Sequence, residues 1–267
     1  MSTQREAQGR LSFERAGAVT AVRAAYAESP LKLLTPRNHG DAAWAYLGTL
    51  GGGLLDGDRV RLDIELGKGA RALVSTQGPT RVFRSPRGCE SRTFARVGAE
   101  ASLLLVPDPL ACCAGARFFQ RTEVDLGASA SLVLWDVLSA GRERWGFGSC
   151  SSSLLLRRCG RPVLDEAWLL DSAHGALAER MGRFAALATL VLAGPLFAGV
   201  RDSVRARVDE KAVAPGARLI ESASAVGDDV LVVRLAAQSV EELLRALRDH
   251  LSAVPALLGD DPWARRP

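Results

Sequence analysis

Three stretches of this chain repeat one another, and a repeat limits the possible folds more than any single motif does. Gly67-Lys-Gly-Ala-Arg-Ala-Leu-Val, Gly98-Ala-Glu-Ala-Ser-Leu-Leu-Leu and Gly127-Ala-Ser-Ala-Ser-Leu-Val-Leu share one pattern, with their first glycines about thirty residues apart. Each copy follows a segment in which apolar and polar residues alternate, Val60 to Leu66, Thr93 to Val97 and Thr122 to Leu126. That is the period of a strand with one buried and one wet face. A unit of strand, glycine turn and strand cannot bury its apolar face alone, so successive copies must stack. The expected fold is mainly β, a β-helix-like solenoid of stacked parallel and antiparallel strands. A weaker fourth copy, Pro215-Gly-Ala-Arg-Leu-Ile, follows the alternating Val204, Ala206 and Val208.

Before the repeats, strand-like pieces surround Leu11 and Phe13 and then Val19 and Ala21. They end at Ser29-Pro30 and Thr35-Pro36, where proline holds its predecessor extended. Two segments read as α-helices. Leu177 to Ala193 places Leu177, Met181, Phe184, Ala188 and Val191 at helical spacing and stops at Gly194-Pro195. Ser239 to Leu251 opens with Ser239 and Glu242 as a capping box and carries an apolar stripe of Val240, Leu243, Leu244, Leu247 and Leu251. No charged or Pro/Ser-rich linker divides residues 1–267, which predicts one domain.

If the copies stack, the loops that follow them fall on one side. This gathers Thr76, Gln77, Arg84, Asp108, Arg117, Asp136, Arg142 and Glu143 into one polar neighbourhood. Ahead of the first copy lies a glycine-rich stretch, with Gly51, Gly52 and Gly53 and then Gly57 between Asp56 and Asp58. These are turn signals. A phosphate loop needs Lys-Ser/Thr after its last glycine and a helix behind it, whereas Asp58 and Arg59 lead into a strand, so nucleotide binding is not expected.

The formal charge of +4 is spread among interspersed acids, a mixed surface rather than a nucleic-acid stripe. The N-terminus lacks the apolar core of a signal peptide. The apolar run from Phe184 to Val200 is short for a membrane span and holds Pro195, so a cytosolic protein is expected. Five cysteines without a C-x-x-C pair indicate neither a disulfide framework nor structural zinc; they read as small apolar residues, with a soft-metal role open for adjacent Cys112 and Cys113. His39, His174 and His250 lie far apart with no nucleophile elbow near any serine, and read as surface or capping residues rather than catalytic bases. The carboxylates beside glycines and arginines, Asp56, Asp58, Asp108, Asp136 and Glu143, admit two readings. They are turn formers, or they line a polar passage for a hard or borderline cation.

Four motifs occur together in order. They are Leu50-Gly-Gly-Gly-Leu-Leu-Asp-Gly-Asp-Arg, Ser75-Thr-Gln-Gly-Pro-Thr-Arg-Val-Phe-Arg-Ser, Pro107-Asp-Pro and Asp136-Val-Leu-Ser-Ala-Gly-Arg. Their order and spacing resemble those of the urease accessory protein UreD family, also called UreH, along nearly the whole chain. The motif positions include Gly51, Gly52, Gly53, Gly57, Thr76, Gln77, Gly78, Arg84, Gly141 and Arg142. The resemblance implies a β-helical fold with two helices and a cytoplasmic, non-enzymatic scaffold without catalytic residues or a stably bound cofactor. It further implies that such a scaffold joins apo-urease to a UreF-like protein and a UreG-like GTPase and helps nickel reach the urease active site. Asp58, Asp136 and Glu143 are then the candidates for lining a nickel route. The rival from another class is a solenoid enzyme acting on an acidic carbohydrate. Against it stands an aromatic content of 6%, little for stacking on sugar rings. A plain interaction protein without a metal role is the third option.

Overall fold

The computed structural model describes residues 6–37, 40–259 and 261–263, so His39 lies outside the described residues. The chain opens with β1 (Ala7–Ala16), β2 (Val19–Ala27), β3 (Leu31–Leu34) and β4 (Ala43–Thr49). The stacked coils follow as β5 (Arg59–Leu66), β6 (Arg71–Thr76), β7 (Thr80–Val82), β8 (Cys89–Val97), β9 (Ser102–Leu105), β10 (Leu110–Cys112), β11 (Arg117–Leu126), β12 (Ser131–Ser139) and β13 (Ser149–Arg158). The chain then runs through β14 (Arg161–Asp171), α1 (Leu177–Met181), β15 (Ala186–Ala193), α2 (Ala198–Asp209), β16 (Leu219–Val226), β17 (Val230–Ala237), α3 (Val240–His250) and α4 (Val254–Leu258).

The strands form two sheets. The first has the order β14-β13-β11-β8-β5-β1-β2, parallel from β13 to β1 and antiparallel at both edges. The second runs β16-β17-β15-β12-β9-β6-β4-β3, with β7 and β10 attached beside it. The expected solenoid, of about four turns, is therefore present.

The three repeats form its corners. Each corner is closed by the same hydrogen bond, Ala70 to Gly67, Ala101 to Gly98 and Ala130 to Gly127, all at 3.1 Å. Each glycine N–H donates to the preceding coil, Gly98 to the Leu66 carbonyl at 2.9 Å and Gly127 to that of Val97 at 2.8 Å. Identical turns thus hold successive strands in register, with Leu66, Val97 and Leu126 side by side and buried. Between the sheets they meet Leu103, Leu132 and Val191, each buried side chain contributing about 1.5–3 kcal/mol.

Helices α2, α3 and α4 pack on the outer face of the second sheet, where Phe197, Val200 and Val204 of the α2 region and Leu243, Leu247 and Leu251 of the α3 region form a second core, whereas Leu177 of α1 joins a separate cluster with Trp145 and Phe147. No helix among the described residues is long and apolar enough to cross a membrane. The helix expected over Leu177 to Ala193 is a five-residue helix that ends at Gly182, followed by strand β15. Strand β15 is apolar without a break because both its faces are buried: Val191 and Ala193 face the inter-sheet core and Leu190 and Leu192 the helical layer. A run buried on two sides mimics helical spacing. The error is reversed at Val204, Ala206 and Val208, which lie in helix α2 and not in a strand. Val200, Val204 and Val208 recur every four residues, a spacing that satisfies both periods. The weak fourth copy is only the turn into antiparallel β16, so it adds no coil.

Helix α3 starts as expected, with the Ser239 hydroxyl accepting from Glu242 N–H at 3.1 Å. The Glu242 carboxylate does not complete the box but pairs with Arg218 Nε at 2.5 Å. His250, expected at the surface or as a capping residue, lies in the last turn of this helix but is buried there beside Glu221. The Glu221 carboxylate takes His250 Nε2 at 2.8 Å and Lys211 Nζ at 2.7 Å, tying α3, the end of α2 and β16 together. Burial pushes the Glu221 carboxyl up, but His250 and Lys211 outweigh it and hold the pKa at about 2.

A depressed carboxylate stabilises the fold above its unfolded pKa, and that contribution is lost as pH falls through the folded value. Glu221→Gln is therefore expected to cost on the order of 3 kcal/mol at pH 6, by the linkage relation. The gap between variant and parent should close as pH drops from 4.5 toward 2 in urea melts. A gap that stays constant over this range would refute the assignment.

Candidate functional site: a cavity between the sheets

The inner faces of the two sheets do not meet everywhere. They leave a cavity of about 370 Å³ whose wall is apolar at residues such as Leu47, Leu62 and Phe118 and polar along the rows that follow. On the first sheet one inward row is Ser91, Gln120, Ser152 and Trp168 across β8, β11, β13 and β14. The next row is Thr93, Thr122, Leu154 and Glu166. All eight residues line the cavity. On the facing sheet Asp136 of β12 stands beside Thr189 of β15, which stands beside Arg234 of β17. The cavity crosses the strands, running along the stack from Leu31 and Gly48 near β3 and β4 to Glu166 and Thr189 near β14 and β15.

Asp136 is the acid that joins the two sheets, toward the β15 end of the cavity. Its Oδ2 accepts from Gln120 Nε2 at 2.9 Å and from Ser152 Oγ at 2.8 Å, bridging the two sheets. Burial raises its pKa, and the two hydrogen bonds counter that only in part. Nearby, Thr76 Oγ1 donates to Asp108 Oδ2 at 2.9 Å and accepts from Asp108 N–H at 2.7 Å. The Pro107 carbonyl in the same loop is held by Trp135 Nε1 at 2.7 Å, and Trp135 is stacked on Trp263 with centroids 5.1 Å apart.

The loops expected on one side are only partly brought together. Thr76, Gln77, Gly78, Asp108 and Asp136 line the cavity, as does Gly52 of the glycine turn, whose neighbour Gly51 also has positive φ. Gly53 is extended, packed against the Arg81 carbonyl. Asp58 does not reach the cavity; its Oδ2 accepts from Leu55 N–H at 2.7 Å across the Gly57 turn. Asp56 is likewise a surface turn residue, its carboxyl held below the usual range chiefly by the Arg87 hydrogen bond. Arg84, Arg117, Arg142 and Glu143 are exposed. In the turn that begins at Gly141, Trp145 and Phe147 occupy the core, which leaves Arg142 and Glu143 on the outside.

Cys89, Cys112 and Cys150 are buried, Cys113 is half-buried and Cys159 exposed, all as free thiols. Among the described residues no group of three or more His, Cys, Asp or Glu side chains is arranged to hold a metal ion. Sequence reasoning missed Gln120, Ser152, Glu166 and Thr189. Only Thr189 carries a local signal, a polar residue at the inward phase of the otherwise apolar Ala186–Ala193.

A β-solenoid backed on one side by helices, with a carboxylate bridging its two inner faces, is the class that this geometry defines. The sequence matches the family model described as UreD urease accessory protein over residues 5–267. It is 46% identical over 262 residues to urease accessory protein UreD of Sorangium cellulosum (strain So ce56), covering 97% of this chain and 83% of the relative. It is 39% identical over 269 residues to UreD of Anaeromyxobacter sp. (strain Fw109-5), covering 98% and 90%. Urease accessory protein D of Arabidopsis thaliana is 28% identical over 293 residues, covering 97% and 100%. The chain belongs to the UreD urease accessory protein family and so has a role in urease maturation.

Proposed function

We propose that the chain is a non-enzymatic, cytoplasmic scaffold that binds apo-urease together with a UreF-like protein and a UreG-like GTPase, and that its inter-sheet cavity gives nickel a route. The observation that carries the route is Asp136, a carboxylate inside the protein whose own partners are one amide and one hydroxyl. Isolated oxygen ligands suit harder ions and hold a borderline ion such as nickel weakly, as a route that must release its cargo requires. The carbohydrate-enzyme alternative gains no support from the other acids that line the cavity, since Asp108 is bonded to Thr76 and Glu166 is tied to Arg234 through both oxygens.

Co-purification tests the scaffold. The chain is expected to elute with apo-urease and with both partners, and urease reconstituted with it should gain activity at limiting nickel that urease alone does not. The chain by itself should not turn over GTP. Failure to bind any of the three partners overturns the reading.

A further inference from the structure

We infer that Arg234 and Glu166 form a latch that closes one end of the cavity to cations, an inference that rests on the nickel route proposed above. The first sheet ends at β14, whereas the second continues past β15 to β17 and β16. The space between them therefore ends where β14 faces β17. Along the second sheet Asp136, Thr189 and Arg234 occupy adjacent strands in one inward row, each strand about 4.8 Å from the next. Opposite them Glu166 lines the cavity. Arg234 Nε donates to Glu166 Oε1 at 3.0 Å and Nη2 to Oε2 at 2.9 Å, a two-point bond from one sheet to the other.

This pair does two things at once. It fills the end of the row that leads outward from Asp136, and it neutralises the acid there while setting a guanidinium in the path of any cation. With Arg234 turned outward, Glu166 becomes a free carboxylate on the wall of the cavity that Thr189 also lines. Arg234 is 48% exposed and Glu166 14%, so the arginine has solvent to turn into while the acid stays at the wall. Ion pairs open to water on one side contribute little to stability, which lets this one part without disturbing the sheets.

Accessibility of the cavity tests the latch without nickel. Thr189→Cys in the full chain supplies a reporter inside the closed end. The probe is a trimethylammonium methanethiosulfonate reagent, with labelling of that peptide followed by mass spectrometry. Adding Arg234→Ala should speed labelling roughly tenfold, and Glu166→Gln should speed it to a lesser extent. Equal rates in all three proteins, or fast labelling with Arg234 in place, would overturn the latch. Circular dichroism melts check the fold. Should Arg234→Ala unfold, Arg234→Lys keeps the charge without the two-point bond and carries the same comparison. Urease activation is a separate readout: faster labelling with unchanged activation keeps the latch and refutes the nickel route.

Discussion

Alanine at both Gly98 and Gly127 is expected to destabilise the fold by about 2–6 kcal/mol, twice the usual cost of overpacking one site. A Cβ at Gly98 would stand 2.8 Å from the Leu66 carbonyl oxygen and 3.0 Å from the Gly67 carbonyl carbon. At Gly127 it would stand 2.9 Å from Ala99 N and 3.1 Å from the Gly98 carbonyl carbon. Every one of these neighbours is backbone of the preceding coil, so relief requires the coils to separate. Against a typical total of about 5–15 kcal/mol, the double variant should be mostly unfolded in mild urea. Gly52→Ala is the control. It has open space around it and a φ of +79°, so it meets only the left-handed strain of about 1–2 kcal/mol. Equal urea midpoints for the two variants would show that close stacking at the corners is not what these glycines provide.

Asp136→Asn is expected to separate stability from function. The amide can still accept from Gln120 and Ser152 through its oxygen, so the bridge between the sheets survives. What disappears is a buried charge. Because burial raises the Asp136 pKa, the ionised form costs stability above the unfolded value of 3.8, and the cost fades as pH falls and the carboxyl protonates. At pH 7 the variant should be as stable as the parent or more so, by about 1 kcal/mol. Urease activation at limiting nickel should nonetheless fall roughly tenfold, since the cation loses the carboxylate that bridges the two sheets. Normal activation by a folded, complex-forming variant would remove Asp136 from the route. Asp58→Ala and Glu143→Ala, at residues that lie outside the cavity, measure how much of any loss is non-specific.

The architecture was legible because the sequence repeats: three glycine corners at a constant spacing announce stacking before any strand is assigned with care. What resisted reading was the side of the fold that carries no repeat. Strand β15 and helix α2 were exchanged in character because burial on both faces erases the alternation of a strand, while valines every fourth residue imitate it. The site shows the same division. Thr76 and Gln77 lie at the end of β6 and in the loop after it, and Asp136 lies in β12 directly after the third repeat, so all three were identified; Gln120, Ser152 and Glu166 reach the cavity only through strand register, which no local pattern states. Asp58 and Glu143 sit in suggestive motifs, but a tight turn and an inward-packed Trp145 direct them elsewhere.

The uniform corners set the dimensions of the interior. Each coil adds one strand to either sheet and joins its predecessor through the same glycine contact, so the space along the stack grows or shrinks in whole coils, about 4.8 Å at a time. Insertions within a loop such as residues 77–79 reshape the wall there and leave the number of coils as it was. The length of the cavity along the stack is thus a counted quantity, set by how many times one short turn is copied.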